Sequence, residues 1–230
     1  MSIFYAVGVG SGNPLEITIQ AKQILEQVDA IVIPVTQEDA NSMAFTIAEQ
    51  VANMQHAEKL KIIFPMRRNL DYKNYLKSGV LLPITERLDM GKNIAMLTLG
   101  DVSVYSTANY VRQIISEQGY QTKVISGISS FSSASAKAQL SLCESQENLL
   151  ILSAVNSPEV VKKYLSQADN IILMKAGRAL PWLIPMLKEL NLFNKTIMFC
   201  NLNMPDEYIG VPVEKQSYFV ILLIKKCGLY

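Results

Sequence analysis

Three short segments of this 230-residue chain carry residue types that could do chemistry, and each follows an apolar run. In the first, Ala95-Met96-Leu97-Thr98-Leu99 ends at Gly100-Asp101, and Val102-Ser103-Val104-Tyr105-Ser106-Thr107 then leads into a helical pattern. A buried parallel strand reads this way when it delivers a tight polar turn to the carboxyl edge of a sheet, where open α/β folds bind ligands. Gly100 lets the backbone approach a ligand, Asp101 supplies an acceptor or a charge, and Ser103, Ser106 and Thr107 supply hydroxyls and caps. A strand followed by a capped helix accounts for the same residues equally well.

The second segment is Gly8-Val9-Gly10-Ser11-Gly12-Asn13-Pro14. Glycines directly after a first strand suggest a phosphate-cradling turn, but a dinucleotide fingerprint needs its third glycine where Asn13 stands. Pro14 falls where a helix N-terminus should meet a pyrophosphate, and no Gly-Lys-Ser/Thr ending marks a triphosphate loop. A turn that opens space for a bulky substrate fits better, with a plain flexible turn as the simpler account. The third segment, Ser126-Gly127-Ile128-Ser129-Ser130-Phe131, places amides and hydroxyls at a helix start, suited to a carboxylate or a ribose hydroxyl. Beyond these, Arg67 and Arg68 follow a strand end, where guanidinium forks could clamp carboxylates; either one alone also reads as part of a solvated basic loop. Lys175 ends another strand, either snorkelling or facing a cleft.

The elements that position these segments alternate. Strands are expected at 3–9, 30–35, 61–64, 93–99, 121–125, 148–152, 170–175, 196–202 and 218–225. Helices are expected at 16–27, 42–54, over most of 71–89, and at 107–119, 132–138, 158–167 and 180–190. The regular alternation of the first half means a parallel-rich α/β sheet. The closely spaced terminal strands point to antiparallel or mixed pairing in the second half. Two α/β domains are expected, 1–119 and 120–230.

Composition narrows the chemistry. Half the residues are hydrophobic and 18% are charged, as in a well-packed soluble globule. No run approaches the about 20 apolar residues that span a bilayer, and the N-terminus lacks a basic signal-peptide region, so the cytoplasm is the expected compartment. Cys143, Cys200 and Cys227 are far apart and odd in number, giving neither a disulfide framework nor a metal clip. The single histidine, His56, lies in a polar stretch, which leaves no histidine-rich metal site and no well-placed triad. A net charge of +1 argues against a nucleic-acid partner, so an anionic ligand must be held by local groups.

Together the segments resemble one family. Gly-x-Gly-x-Gly-x-Pro at 8–14, Gly100-Asp101, Gly127-Ile128-Ser129-Ser130 and the terminal strand are similar to the tetrapyrrole (class III) S-adenosylmethionine-dependent methyltransferases, over nearly the whole chain. Phe64-Pro65-Met66, Thr98-Leu99-Gly100-Asp101 with Tyr105-Ser106-Thr107, and Tyr218-Phe219 most resemble the branch that methylates precorrin-2, or its cobalt complex (cobalt-factor II), at ring carbon 20 in cobalamin synthesis. The resemblance implies two α/β domains flanking a cleft, a homodimer, and a methyl donor folded in that cleft and gripped mainly by backbone. It places S-adenosylmethionine against Gly100, Asp101, Val102, Ser103, Tyr105, Ser106, Ser129, Ser130, Phe131, Met174, Lys175, Asn201 and Leu202. The tetrapyrrole falls to Gly10, Gly12, Asn13, Pro14, Arg67 and Arg68, with no protein-bound metal, nucleic acid or membrane partner.

Three departures stand out. Relatives usually have Pro-Gly-Asp where this chain has Ser11-Gly12-Asn13, so an amide replaces a carboxylate near the substrate. The usual prolines after Gly-Asp and before Gly-Ile-Ser are Val102 and Ser126, changes that loosen turns without removing backbone contacts. Methyl transfer to an enamine-like ring carbon needs positioning and desolvation more than a strong catalyst. Asp101 and Tyr105 are the candidates to take up the departing proton, although Asp101 reads equally as structural or donor-binding. The rivals are a same-fold methyltransferase acting on another carbon, a nucleotide-binding oxidoreductase, and a non-catalytic sensor or carrier.

Overall fold

Continuous apolar runs such as Ala30-Ile31-Val32-Ile33 and Ile94-Ala95-Met96-Leu97 have no polar face to leave in water. They must be covered on both sides, and that requirement generates the architecture. The computed structural model describes residues 2–65, 71–153, 157–215 and 217–229. It divides into two units, Met1–Ser129 and Ser130–Tyr230.

In the first unit the order is β1 (Ile3–Gly8), α1 (Ile19–Leu25), β2 (Ala30–Val35), α2 (Met43–Ala48), β3 (Glu58–Ile63), α3 (Tyr72–Tyr75), α4 (Leu82–Asp89), β4 (Ile94–Thr98), α5 (Thr107–Glu117) and β5 (Gln121–Ile125). The five strands form one sheet in the order β3-β2-β4-β1-β5, every pair parallel. Connections β1 to β2 and β2 to β3 run one way across the sheet; β3 to β4 and β4 to β5 run the other. Right-handed crossovers then put α1 and α2 on one face, α4 and α5 on the opposite face. The cores agree: Ala21, Leu25, Ala44 and Ile47 pack with Val7, Ile31 and Leu97. Ile84, Leu88, Val111 and Ile115 pack with Phe4, Val32 and Met96.

The second unit runs α6 (Ser130–Ala138), β6 (Leu149–Ser153), α7 (Pro158–Leu165), β7 (Asn170–Met174), α8 (Leu180–Glu189), β8 (Thr196–Cys200), β9 (Tyr208–Gly210) and β10 (Val220–Lys225). Its sheet is mixed, in the order β6-β7-β10-β8-β9. β6 and β7 are parallel, β10 is antiparallel to β7 and β8, and β9 is antiparallel to β8. One face packs on α7 and α8 through Val161, Leu183, Leu173 and Leu222. The other packs on α6 through Ala134, Ile172, Phe199 and Leu223.

The α/β class, the parallel first sheet and the mixed second sheet match expectation. The division falls after Ser129, ten residues beyond the expected boundary at 119, because β5 pairs along its length with β1 and so belongs to the first sheet. The helix expected at 16–27 is two elements: Asn13 caps a single turn at Pro14–Glu16, and Thr18 caps α1 afresh. β3 begins at Glu58 rather than Lys61, and β9 was not anticipated.

Candidate functional site

At the carboxyl edge of the first sheet, β4, β1 and β5 are neighbours, and the segments leaving β1 and β4 meet main chain to main chain. Gly10 and Gly100 form an antiparallel bridge, with Gly100 N donating to Gly10 O at 2.7 Å and Gly10 N to Gly100 O at 3.4 Å. Val9 N donates to Thr98 O at 3.0 Å. The fit leaves no room for side chains. A Cβ on Gly8 would lie 2.6 Å from Gly100 O and 2.7 Å from Gly127 N, and one on Gly127 only 2.2 Å from Gly100 O. Such approaches are far inside van der Waals contact, so glycine is required at both positions for its missing side chain.

Asp101 braces this junction. One carboxylate oxygen accepts from Gly127 N at 2.9 Å, and the other from Ser103 N at 2.8 Å and from the Ser103 hydroxyl. Burial works against its charge, but the Ser103 hydroxyl and the amides of Ser103, Gly127 and Val102 more than offset it. The carboxyl is therefore held below its ordinary range. An ionised carboxylate with both oxygens engaged is a weak base, and this geometry gives Asp101 a bracing role. The rest of the turn divides by side chain. Val102 is buried against Phe4 and Ala108. Ser106 caps α5 through Ala108 N at 3.1 Å and donates to Thr98 Oγ1 at 3.0 Å. Ser103 and Tyr105 are exposed.

The glycine turn is equally built. Glu16 accepts from Ser11 N at 3.1 Å and from the Ser11 hydroxyl at 2.8 Å. Asn13 Oδ1 accepts from Leu15 N at 3.0 Å, which caps the turn that Pro14 begins. Gly10 has φ 79° and Gly12 φ 134°, a conformation only glycine adopts without strain. The Asn13 amide is thus committed to the backbone, a task a carboxylate would do as well. Thr18 Oγ1 reaches Ser126 O at 3.3 Å, tying α1 to the segment after β5.

In the second unit the register places Met174 opposite Ile221 and Cys200 opposite Val220, so β7 and β8 end at one sheet edge. Phe131, Met174 and Leu202 share the apolar cluster beneath it. Lys175 is left-handed at φ 55°, its ammonium 5.7 Å from the Tyr218 ring centroid. A Cβ on Gly177 would sit 1.9 Å from Ser217 O, which holds the turn after β7 hard against the chain entering β10. Asn201, left-handed at φ 51°, donates to Phe219 O at 2.9 Å through its amide. Its side chain accepts from the Ser217 hydroxyl and donates to Asp206.

Some of the left-handed non-glycines fall among the residues that the resemblance assigns to the donor, whereas Gln139, Ser145 and Asn191 lie elsewhere. Tyr105 (φ 49°), Lys175 and Asn201 are left-handed non-glycines, all following strand ends. For bulky residues such a conformation costs on the order of 1–3 kcal/mol and persists where surrounding contacts impose it, commonly at ligand sites. The first unit joins Gly100 to Gly10; Asp101, Val102, Ser103 and Ser106 follow the one, and Gly12, Asn13 and Pro14 the other. The second brings together Phe131, Met174, Lys175, Asn201 and Leu202. Ser129 and Ser130 stand on either side of the division between units. Arg67 and Arg68 lie outside the described residues, and His56 is exposed. Glu16, Thr18 and Ser217 were missed from sequence. Only Thr18 carried a local signal, a hydroxyl before a helical pattern. Among the described residues, no cluster of three or more His, Cys, Asp or Glu could hold a metal ion, and no helix is long and apolar enough to cross a membrane.

Comparisons with known proteins bear on the same residues. The model of the tetrapyrrole (corrin/porphyrin) methylases matches residues 4–215. A probable cobalt-precorrin-2 C(20)-methyltransferase of Methanocaldococcus jannaschii is 33% identical over 171 residues, 74% of this chain and 71% of that protein. A cobalt-precorrin-2 C(20)-methyltransferase of Salmonella typhimurium is 26% identical over 228 residues, 96% of this chain and 95% of that one. Among solved structures, a uroporphyrin-III C-methyltransferase of Thermus thermophilus complexed with S-adenyl homocysteine superposes with a TM-score of 0.69 at 14% identity, over 98% of each chain; at that identity the likeness is one of fold. A family match from the first strand to beyond β9 takes in the glycine junction, the Asp101 brace and all three left-handed turns, and the chain belongs to the tetrapyrrole methylases.

Proposed function

We propose that the protein transfers a methyl group from S-adenosylmethionine to ring carbon 20 of precorrin-2, or of its cobalt complex, during corrin synthesis. The observation that carries this reading is the end-to-end match to a cobalt-precorrin-2 C(20)-methyltransferase, over 96% of this chain. The site chemistry agrees with it. In the first unit, the main-chain junction of Gly10 and Gly100 with its Asp101 brace suits a donor gripped mainly by backbone, as the family resemblance implies. We read the enzyme as a homodimer, as its resemblance to the family implies, and place it in the cytoplasm on its sequence pattern.

The donor supplies an electrophilic methyl on a sulfonium, so the protein need not generate one. In the transfer a carbon–carbon bond forms as the carbon–sulfur bond breaks, the sulfonium becomes a neutral thioether, and the methylated carbon then gives up a proton that passes to solvent. This chain's residues hold the partners in line and exclude water, and most of the acceleration comes from that positioning. Asp101 keeps the Gly100 and Gly127 turns together rather than taking the proton. Tyr105 is the residue we place nearest the transfer, and Gly10, Gly12, Asn13 and Pro14 shape the tetrapyrrole side.

The test is incubation with an isotope-labelled methyl donor and either metal-free precorrin-2 or cobalt-factor II. One added methyl, placed at carbon 20 by mass and NMR, is the expected result. Transfer to another ring carbon, or no transfer to either substrate with the donor bound, overturns the proposal. The ratio of the two rates states whether cobalt precedes methylation.

A further inference from the structure

Leu202 lies between two left-handed asparagines, Asn201 at φ 51° and Asn203 at φ 61°. Its side chain is buried in the apolar cluster with Phe131, Met174 and Ile221, so the flanking residues set how its main chain is presented. Asparagine adopts the left-handed conformation more readily than most residues with a side chain, and contacts from outside the segment fix both. Asn201 is held by Ser217, Phe219 and Asp206. Asn203 is held by a closed ring of charged groups. Glu207 Oε2 accepts from Asn203 N at 2.6 Å and from Lys137 Nζ at 2.6 Å, and Lys137 Nζ also donates to Asn203 Oδ1 at 3.0 Å. The Asn203 amide reaches Ser133 Oγ at 3.5 Å as well.

Lys137 lies in the last turn of α6, and Glu207 directly precedes β9. The ring therefore spans 70 residues of sequence and joins the helix that begins with Ser130 and Phe131 to the turn that carries Asn201 and Leu202. The Glu207 carboxyl is held below its ordinary range. Partial burial opposes the charge, and Lys137 with the Asn203 amide outweighs it. The carboxylate is thus fully charged at neutral pH, as a charge-assisted ring requires.

We propose that Lys137 and Glu207 form a latch that positions the Asn201–Asn203 turn against α6 and thereby sets affinity for the methyl donor. The latch rests on the methyltransferase reading above. Neither residue touches the reacting atoms in this account; both act through Asn203, as positioning residues. Removing Lys137 takes a partner from Glu207 and a partner from Asn203 Oδ1, so the turn samples conformations in which Leu202 presents its main chain differently.

The experiment measures S-adenosylhomocysteine binding by calorimetry, steady-state kinetics, and hydrogen exchange of the 201–207 amides in the free protein. The proteins are the wild type, Lys137→Ala, Glu207→Gln and Lys137→Arg. Expected for Lys137→Ala and Glu207→Gln are a Kd and donor KM raised about fivefold to tenfold, the worth of one or two charge-assisted hydrogen bonds near a surface. Exchange at 201–207 rises by a similar factor, while kcat at saturating donor and the tetrapyrrole KM stay within about twofold. Lys137→Arg, which keeps the charge, restores most of the affinity. Unchanged exchange in a folded Lys137→Ala protein overturns the latch, as does faster exchange with unchanged donor affinity. A fall in kcat with donor affinity intact overturns it too. A wild type that binds no S-adenosylhomocysteine instead overturns the methyltransferase reading on which the latch depends.

Discussion

Replacing Asp101 by asparagine separates a brace from a base. The carboxylate accepts from Gly127 N on one oxygen and from Ser103 N and the Ser103 hydroxyl on the other. An amide keeps one acceptor and turns an NH2 group towards the remaining donors, so at least one charge-assisted hydrogen bond becomes a donor-to-donor contact. A hydrogen bond to a charged group is worth about 1.5–3 kcal/mol. Asp101 is only half-buried, so solvent screening keeps the loss near the lower end, about 2 kcal/mol. Chemical denaturation of wild type and Asp101→Asn measures that gap. Its pH course follows from the depressed carboxyl: the stabilisation is fully present above the unfolded value of about 3.9 and disappears as pH falls through the lower folded value. The gap should stay constant from neutrality to about pH 5 and close only below about pH 4. Donor Kd rises about tenfold as the Gly100 turn loosens, with kcat at saturating donor changed only a few-fold. A kcat loss of a thousandfold with stability and donor affinity intact would refute this reasoning, because it would make Asp101 the proton acceptor.

Gly127→Ala forces a methyl to within 2.2 Å of Gly100 O; the strand ends must separate, costing about 3 kcal/mol or more and abolishing measurable donor binding in calorimetry. Tyr105→Phe keeps the ring and removes the hydroxyl, so donor affinity holds while kcat falls by no more than about tenfold if the ring acts by stacking; a loss beyond about a thousandfold gives the hydroxyl a proton-transfer role. Lys225 is fully buried, donates to Ser141 O at 2.8 Å and lies 3.7 Å from Glu147. Lys225→Ala strands that carbonyl and should cost about 2–4 kcal/mol in denaturant melts, with donor Kd unaffected.

What was legible in sequence, and what was not, divides by range of interaction. Parallel strands buried on both faces announce themselves as unbroken apolar runs, so β2 and β4 were placed where they lie. β3 started three residues earlier than read, because an edge strand shows one face to water. In Glu58-Lys59-Leu60-Lys61-Ile62-Ile63 only Leu60 and Ile62 are buried, and the lysines hid the pattern. The break between Glu16 and α1 was written in Asn13-Pro14 and Thr18, two successive caps inside one apolar periodicity. β9, three residues long, exists only through its ladder to β8 and leaves no local trace. The site followed the same rule. Gly100, Gly10 and Gly12 stood out as glycines after strands. The bracing of Asp101 depends on Gly127, 26 residues away, and the Glu207 ring on Lys137, 70 residues away. No spacing in the chain encodes either.

The topology explains why so much of the site is main chain. β1 and β4 lie side by side, yet their connections leave in opposite directions, so α1 and α5 cover opposite faces and neither closes over the strand ends between them. The backbone that emerges there, at Gly8 and Gly127, is packed too closely against Gly100 O for any side chain. A site made from such groups is indifferent to side-chain chemistry around it, provided the turns keep their shape. The departures from the family pattern can be read on that basis. Val102, in place of proline, anchors its turn by burial in the core. Ser126 contributes its carbonyl to Thr18, and Asn13 performs a capping task open to aspartate. Each substitution keeps a backbone position and gives up only a side-chain property. Such a site suits a reaction whose electrophile arrives with the donor, for which holding two reactants in line matters more than acid or base strength.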